Sequence, residues 1–212
     1  MTGPIRILLV DDHAIVREGY RRLLEREPSI HVVGEASNAS QAYCKAGELS
    51  PNVVIMDIAL PTTSGIEATR QLLKEQPQLR ILMFSMYGDA IYATRALQAG
   101  AAGYLSKASA PEVLVEAIYA VSRGESYLSP DVADNMARSA TQAGNPDIDA
   151  LTPREFEVLR LLVQGKTVKS ISETLGLSEK TIANQQSAIR AKLGARNSAQ
   201  LACLVEQIGL AR

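Results

Sequence analysis

Five short apolar runs recur along the first part of the chain: "IRILLV" (5–10), "HVVGEA" (31–36), "VVIMD" (53–57), "ILMFS" (81–85) and "GYLSK" (103–107). Between them lie longer stretches, "AIVREGYRRLLERE", "ASQAYCKAGELS", "SGIEATRQLLKEQ" and "AIYATRALQAG", and "PEVLVEAIYAVSRG" follows the last run. In that final stretch Val113, Leu114, Ala117, Ile118 and Val121 fall on one helical face. The short runs are rich in β-branched residues and lack clean polar–apolar alternation, as strands do when both faces are covered. Strands separated by helices in repeated βα units predict an α/β fold with a five-stranded parallel sheet and helices on both sides.

From Gly124 the pattern changes, which sets a first domain at residues 1–124. Residues 125–149 mix chain breakers with a weak helix, for which Ser129 is the expected cap, Pro130 suits the first position, and Val132 and Met136 share a face. "AGNPD" (143–147) reads as a flexible joint, so 125–149 are expected to be a linker. Residues 150–212 carry only helical signals. "LTPRE" is a helix start, with Thr152 at the N-cap, Pro153 at the first position and Glu155 completing a capping box. Phe156, Leu159, Leu162 and Val163 form its apolar face and Gly165 ends it. A short helix over about Val168 to Leu175 stops at Gly176. Ser178 caps a third helix, from Glu179 to about Leu193, which stops at Gly194. Ser198 starts a fourth, with Leu201, Leu204, Val205 and Ile208 aligned. The tight turn "LGLS" between the second and third of these helices is a helix-turn-helix pattern, so the second domain is expected to be an all-α four-helix unit.

Hydrophobic residues make up 46% of the 212, enough for packed cores and too many for wholesale disorder. No apolar run approaches the roughly 20 residues of a membrane span. The N-terminus has no signal-peptide pattern, so a soluble cytoplasmic protein without a membrane partner is expected. Cys44 and Cys203 lie far apart, outside any metal-ligand spacing, and read as packed residues of a reducing compartment; His13 and His31 join no cysteine motif. The net charge of −1 hides an asymmetry: residues 150–212 hold 9 basic against 5 acidic residues, a balance of +4, and the rest of the chain stands at −5. Two modules with different partners follow, the basic one mildly suited to nucleic acid.

The most apolar segments end in charged or hydroxyl residues. Asp11 and Asp12 follow the first strand, Asp57 the third, Ser85 the fourth and Lys107 the fifth. In a parallel sheet, ligands bind outside the carboxyl ends of the strands, where the strand order reverses. Carboxylates crowded there repel one another unless a cation joins them, and an oxygen-rich set suits octahedral Mg²⁺. A bland alternative, that Asp11 and Asp12 only cap the following helix, leaves Asp57, Ser85 and Lys107 unexplained.

The pieces "VDDH", "IMDIALPTTSG", "FSMY" and "GYLSK" resemble the receiver domain of bacterial two-component response regulators over residues 5–122. The resemblance implies a CheY-like, flavodoxin-like fold with Asp57 as phosphoacceptor. It also implies Mg²⁺ held by Asp11, Asp12, Asp57 and the backbone carbonyl of Ala59, Lys107 on the phosphate, Ser85 as switch hydroxyl and Tyr104 as switch aromatic. Residues 150–209, through "LTPREFEVLRLLVQGKTVKSISETLGLSEKTI", are similar to the LuxR-type helix-turn-helix, so the whole resembles a NarL/FixJ-type transcriptional regulator. The likeness departs at "IANQQ" (182–186): Gln185 stands where His is usual and Ala183 where Lys is common, which bears on the DNA sequence read.

The resemblance implies a sensor histidine kinase as phosphodonor, double-stranded DNA as target and RNA polymerase as a further partner. On phosphorylation, Ser85 would move to the phosphoryl oxygens and Tyr104 would rotate inward, reshaping the last helices and strands of the receiver; the alternative for Tyr104 is an ordinary strand residue, but its place two residues before Ser106 and three before Lys107 matches the family. The helix from Glu179 is expected in the major groove, with Ile182, Ile189 and Leu193 on its core side. Ala183, Asn184 and Ser187 then meet bases, while Lys180, Thr181, Arg190 and Lys192 meet phosphates. A homodimer of the phosphorylated form is expected from the apolar fourth helix and the paired half-sites such domains bind. Two other function classes remain. A phosphatase working through aspartyl-phosphate lacks its second carboxylate, since Ala59 stands two residues after Asp57; the chain is therefore not expected to be an enzyme. A protein-interaction adaptor would keep the helix-turn-helix without reading DNA.

Overall fold

The computed structural model describes residues 3–61, 63–86, 88, 90–141, 151–197, 200, 201 and 204. The chain divides into two units, Met1–Gln142 and Ala143–Arg212. In the first, strands β1 (Ile5–Val10), β2 (Ile30–Ala36), β3 (Val53–Met56), β4 (Arg80–Ser85) and β5 (Gly103–Ser106) alternate with helices α1 (Ala14–Leu24), α2 (Ala39–Leu49), α3 (Gly65–Glu75), α4 (Ala90–Gln98) and α5 (Pro111–Ser122). All strands are parallel, in the order β2-β1-β3-β4-β5, with one further strand paired beyond β5. The absence of alternation has the expected cause: on β3 Val53, Val54, Ile55 and Met56 are all buried, because helices cover both faces. The face of α5 is as read, with Leu114, Ala117, Ile118 and Val121 buried and Val113 partly so.

The sheet has six strands rather than five. The sixth, β6 (Tyr127–Leu128), pairs with β5 through Gly103↔Tyr127 and Tyr104↔Leu128. A Cβ on Gly103 would lie 2.6 Å from the Tyr127 carbonyl oxygen, so only glycine admits this approach. The weak helix expected in the linker is α6 (Pro130–Thr141), and it packs against α4 and β5 with Val132 fully buried. Residues 125–141 thus continue the first unit, because the open edge of β5 offers a ladder and an apolar face to cover. Residues 143–147, the expected joint, lie outside the described residues.

The second unit comprises α7 (Pro153–Val163), α8 (Val168–Leu175) and α9 (Glu179–Lys192). Thr152 and Glu155 form the full capping box, Thr167 caps α8 and Ser178 caps α9. Gly176 adopts φ +63°, which lets the chain reverse into the α8–α9 turn. Phe156, Val158, Leu159, Leu161, Ile171, Ile182 and Ile189 pack the core, a wider face on α7 than the helical spacing indicated, with Leu162 and Val163 only half-buried. Gln200, Leu201 and Leu204 are helical and Leu201 is buried. Ser198, Val205 and Ile208 of the expected fourth helix, like Cys203, lie outside the described residues.

Candidate functional site

The strand order turns back between β1 and β3, and the residues following both strands are aspartates. Asp57 N donates to the Val10 carbonyl (2.9 Å) and Asp11 N to the Ala36 carbonyl (3.1 Å), so the ladder itself fixes both backbones. Their residues are 6% and 4% exposed, for Asp11 and Asp57 respectively. Lys107, just past β5, reaches across the gap: Nζ lies 2.5 Å from Asp11 Oδ2 and 2.8 Å from Asp57 Oδ2. Its backbone N–H is pinned to the Ser85 carbonyl at 2.7 Å. Burial pushes the Asp57 carboxyl above the usual range, and Lys107 and the Ala59 N–H oppose that rise without cancelling it. Burial would lower the Lys107 ammonium, but Asp57 and Asp11 overcome it and hold it above its ordinary value, so it stays charged at neutral pH.

Ligand atoms of Asp11, Asp12, His13 and Asp57 all lie within 4.8 Å of one another, a group that could hold a metal ion. Asp12 Oδ1 is buried and has no hydrogen-bond partner among the described residues; His13 Nδ1 lies 2.7 Å away as an ion-pair contact. Gly65 packs its Cα against the backbone after Asp57: a Cβ there would be 1.8 Å from the Asp57 carbonyl oxygen. Ser85 is fully buried at the end of β4. Tyr104 is fully buried. The reason is β6 and α6, which close the edge of β5; Ser129 N donates to the Tyr104 carbonyl at 3.1 Å.

In the second unit α9 turns Ile182 and Ile189 inward and leaves Lys180, Ala183, Asn184 and Ser187 exposed, with Thr181 and Arg190 half-buried. Lys192 does not stand free for a phosphate. Its Nζ lies 2.6 Å from Glu155 Oε2, the carboxylate that also caps α7. Burial raises that carboxyl, and Lys192 with the Thr152 N–H more than reverses the effect, holding it below the usual carboxylate range. A partly desolvated carboxylate attracts the nearest ammonium more strongly than solvent does.

Residues 7–119 match the response regulator receiver domain family and residues 149–205 the bacterial regulatory proteins of the luxR family. The chain belongs to the LuxR-type response regulators. It is 37% identical over 208 residues to the response regulator GacA of Pseudomonas viridiflava, covering 97% of each chain. It is 37% identical over 210 residues to the response regulator UvrY of Escherichia coli K12, covering 97% of this chain and 95% of that one. Among solved structures it resembles RcsB of Salmonella enterica serovar Typhimurium, bound to promoter P1flhDC in the presence of phosphomimetic BeF3⁻. That likeness has a TM-score of 0.62 and 28% identity and covers 97% of this chain and 100% of that chain. None of the described helices is long and apolar enough to cross a membrane.

Two residues around this response regulator's carboxylates, Arg17 and Tyr20, went unremarked in the sequence. Arg17 donates to the Asp11 carbonyl oxygen at 2.5 Å and pairs with Glu35 at 3.2 Å. Tyr20 lies edge-on to Phe84, ring centroids 4.7 Å apart, and both line a small cleft with Leu9, Ile55, Asp11 and Asp57. Burial raises the Tyr20 phenol, with Lys107 opposing and Asp11 and Asp57 reinforcing. Arg17 and Tyr20 sit three apart on α1, the only signal they carried being one helical face. His13, read as joining no cysteine motif, lies with the carboxylate cluster; its adjacency to Asp12 was the signal.

Proposed function

We propose that Asp57 accepts a phosphoryl group from a sensor histidine kinase and that this modification controls promoter recognition by α9. The observation that carries the reading is the placement of Asp57: a buried carboxylate at the strand-order reversal, paired with Lys107 and facing Asp11. One carboxylate oxygen of Asp57 bonds to phosphorus as the P–N bond of a phosphohistidine, or the P–O bond of an acyl phosphate, breaks. Lys107 neutralises the oxygens of the transferred group and holds the new acyl phosphate in line. The donor set fits a hard divalent cation, since the buried Asp12 Oδ1 lacks a hydrogen bond and three carboxylates converge. Asp11, Asp12, Asp57 and the Ala59 carbonyl are the proposed ligands of Mg²⁺, which offsets phosphoryl charge when bound. Ser85 answers the phosphoryl group with its hydroxyl. Tyr104, already buried, responds through its backbone tie to Ser129 and so through β6 and α6.

On DNA, Asn184 and Ala183 face base edges with Ser187, while Lys180, Thr181 and Arg190 face phosphates. The relative RcsB, solved on a promoter with a phosphomimetic, supports this pairing of inputs. Two copies on a two-fold operator are the arrangement such domains use; of the apolar fourth-helix residues, Leu201 is buried. RNA polymerase is the proposed further partner. Intact-mass spectrometry after acetyl phosphate and Mg²⁺ should show one phosphoryl adduct on the native protein and none on Asp57→Asn, and a promoter mobility shift should strengthen only for the former. An equal adduct on Asp57→Asn refutes the reading.

A further inference from the structure

We propose that Arg17 is a positioning residue for phosphoryl transfer: its guanidinium, aimed by Glu35, holds the peptide unit between Asp11 and Asp12 in the orientation that the chemistry at Asp57 requires. The inference rests on the reading that Asp57 accepts a phosphoryl group beside those two carboxylates, and it adds the side chain that sets their geometry.

Strand β1 ends at Val10, and its last pairing with β2 is Val10↔Ala36. Asp11 lies one residue beyond, where the ladder alone no longer fixes the chain. Its N–H donates to the Ala36 carbonyl at 3.1 Å, Oδ2 pairs with Lys107 at 2.5 Å, and Oδ1 accepts the His13 N–H at 2.8 Å. Its carbonyl oxygen accepts Arg17 Nη1 at 2.5 Å. A peptide unit is planar, so turning the Asp11 carbonyl turns the Asp12 nitrogen with it and swings both side chains. One hydrogen bond to the backbone thus governs the relative setting of two adjacent carboxylates.

The guanidinium is itself oriented. The Arg17 side chain is 15% exposed and lines the cleft that Asp11 and Asp57 share. Nε donates to Glu35 Oε2 at 3.2 Å while Nη1 serves Asp11, so the planar fork joins β2 to the end of β1. Glu35 is anchored in turn: Oε1 takes Arg21 Nε at 2.5 Å, and its backbone carbonyl takes the Lys45 ammonium. Burial raises the Glu35 carboxyl, and the two arginines more than reverse that, so it is ionised at neutral pH. Arg21 ties α1 to β2 through the same carboxylate, but its other bond goes to Glu25 rather than Asp11. The two arginines therefore separate a tie between elements from a hold on the site. A misplacement of about 1 Å costs roughly a hundred-fold in rate where reacting groups must align.

The test follows labelling of Asp57 by acetyl phosphate and Mg²⁺ in the full chain, native, Arg17→Gln, Arg17→Lys and Arg21→Gln, with rates read by intact mass at varied donor concentration. Arg17→Gln should lower the maximal rate by about ten-fold or more and leave the half-saturating acetyl phosphate within about two-fold, because the donor still reaches the site and only alignment is lost. Arg17→Lys keeps a donor without the fork and should fall between. Arg21→Gln should stay within about two-fold of native. Hydrogen exchange without divalent cations gives a reading independent of rate. The His13 amide, bonded to Asp11 Oδ1, should exchange about ten-fold faster in Arg17→Gln but not in Arg21→Gln, while the Ile7–Val10 amides keep native protection in both. An equal rate loss in Arg21→Gln, a loss of Ile7–Val10 protection in step with the rate, or a native rate in Arg17→Gln each overturns the inference and leaves the phosphoacceptor reading intact. Native protein that takes no label overturns both.

Discussion

Replacing Lys107 with methionine leaves two carboxylates, Asp11 and Asp57, each under 10% exposed and without the ammonium that sits 2.5 and 2.8 Å from them. Two unit charges about 5 Å apart repel by roughly 3 kcal/mol at an effective dielectric constant of about 20. Removing one partner of a buried ion pair costs about 3–5 kcal/mol in general, so the two routes agree. The relief available is protonation. Burial already holds the Asp57 carboxyl above its ordinary value, and without Lys107 it rises further. A carboxyl whose folded value is raised destabilises the fold above that value and ceases to do so as pH falls through it, so the loss in Lys107→Met should shrink on acidification. Native-state hydrogen exchange of the amides in Ile7–Val10 and Val53–Met56 reports opening of the strands that carry the site. At pH 7 without divalent cations, those amides should lose about 3–5 kcal/mol of protection in Lys107→Met and recover most of it in Lys107→Met/Asp57→Asn. Protection within about 1 kcal/mol of native in the single variant, or no recovery in the double, would refute the account of Lys107 as the charge that keeps the carboxylates together.

Gly65→Ala puts a Cβ 1.8 Å from the Asp57 carbonyl oxygen and 3.1 Å from Ile58 Cα, both backbone atoms, so the loop after β3 must shift; acetyl phosphate labelling of Asp57, followed by intact mass, should fall sharply while the second unit's exchange protection is unchanged. Glu155 titrates below its ordinary value of 4.5 in the folded protein, so its contribution is present above that pH and is lost as pH falls through the folded value. The protection gap between native protein and Glu155→Gln at the amides of Phe156–Leu162 should therefore be constant near neutrality, about 0.5–2 kcal/mol as for a lost cap, and close below pH 4.5; a gap that persists in acid contradicts the ionised cap. Asn184→Ala should weaken operator binding by about 1–3 kcal/mol and relax preference at one base pair, measured by competition with substituted operators, whereas unchanged base preference would remove Asn184 from direct readout.

What the sequence revealed, and what it hid, divides by the range of the interaction. Capping boxes and helix stops were legible because they are local: Thr152 with Glu155, Ser178 with Thr181, and the positive-φ glycines act within four residues. The site was legible for a different reason. When both faces of a parallel sheet are covered, polar groups in strand-rich segments have only the strand ends to occupy, so Asp11, Asp57, Ser85 and Lys107 mark one edge from their positions in the sequence. Strand β6 was hidden because two residues carry no period; what specifies it is the open ladder of β5 and the missing side chain of Gly103, 24 residues before Tyr127. The state of Tyr104 was hidden with it, since its burial is set by that added strand and by α6 rather than by its neighbours in sequence.

Lys192 shows the limit most directly. A lysine in the last turn of a helix satisfies the helix dipole, a DNA phosphate or a distant carboxylate equally well, and its own surroundings in sequence do not distinguish them. Glu155 supplies the partner from 37 residues away: its Oε2 accepts both the Thr152 N–H that completes the cap and the Lys192 ammonium. The same residue that starts α7 thereby tethers the end of α9. A substitution at Lys192 accordingly removes the ion pair that joins the end of α9 to the start of α7.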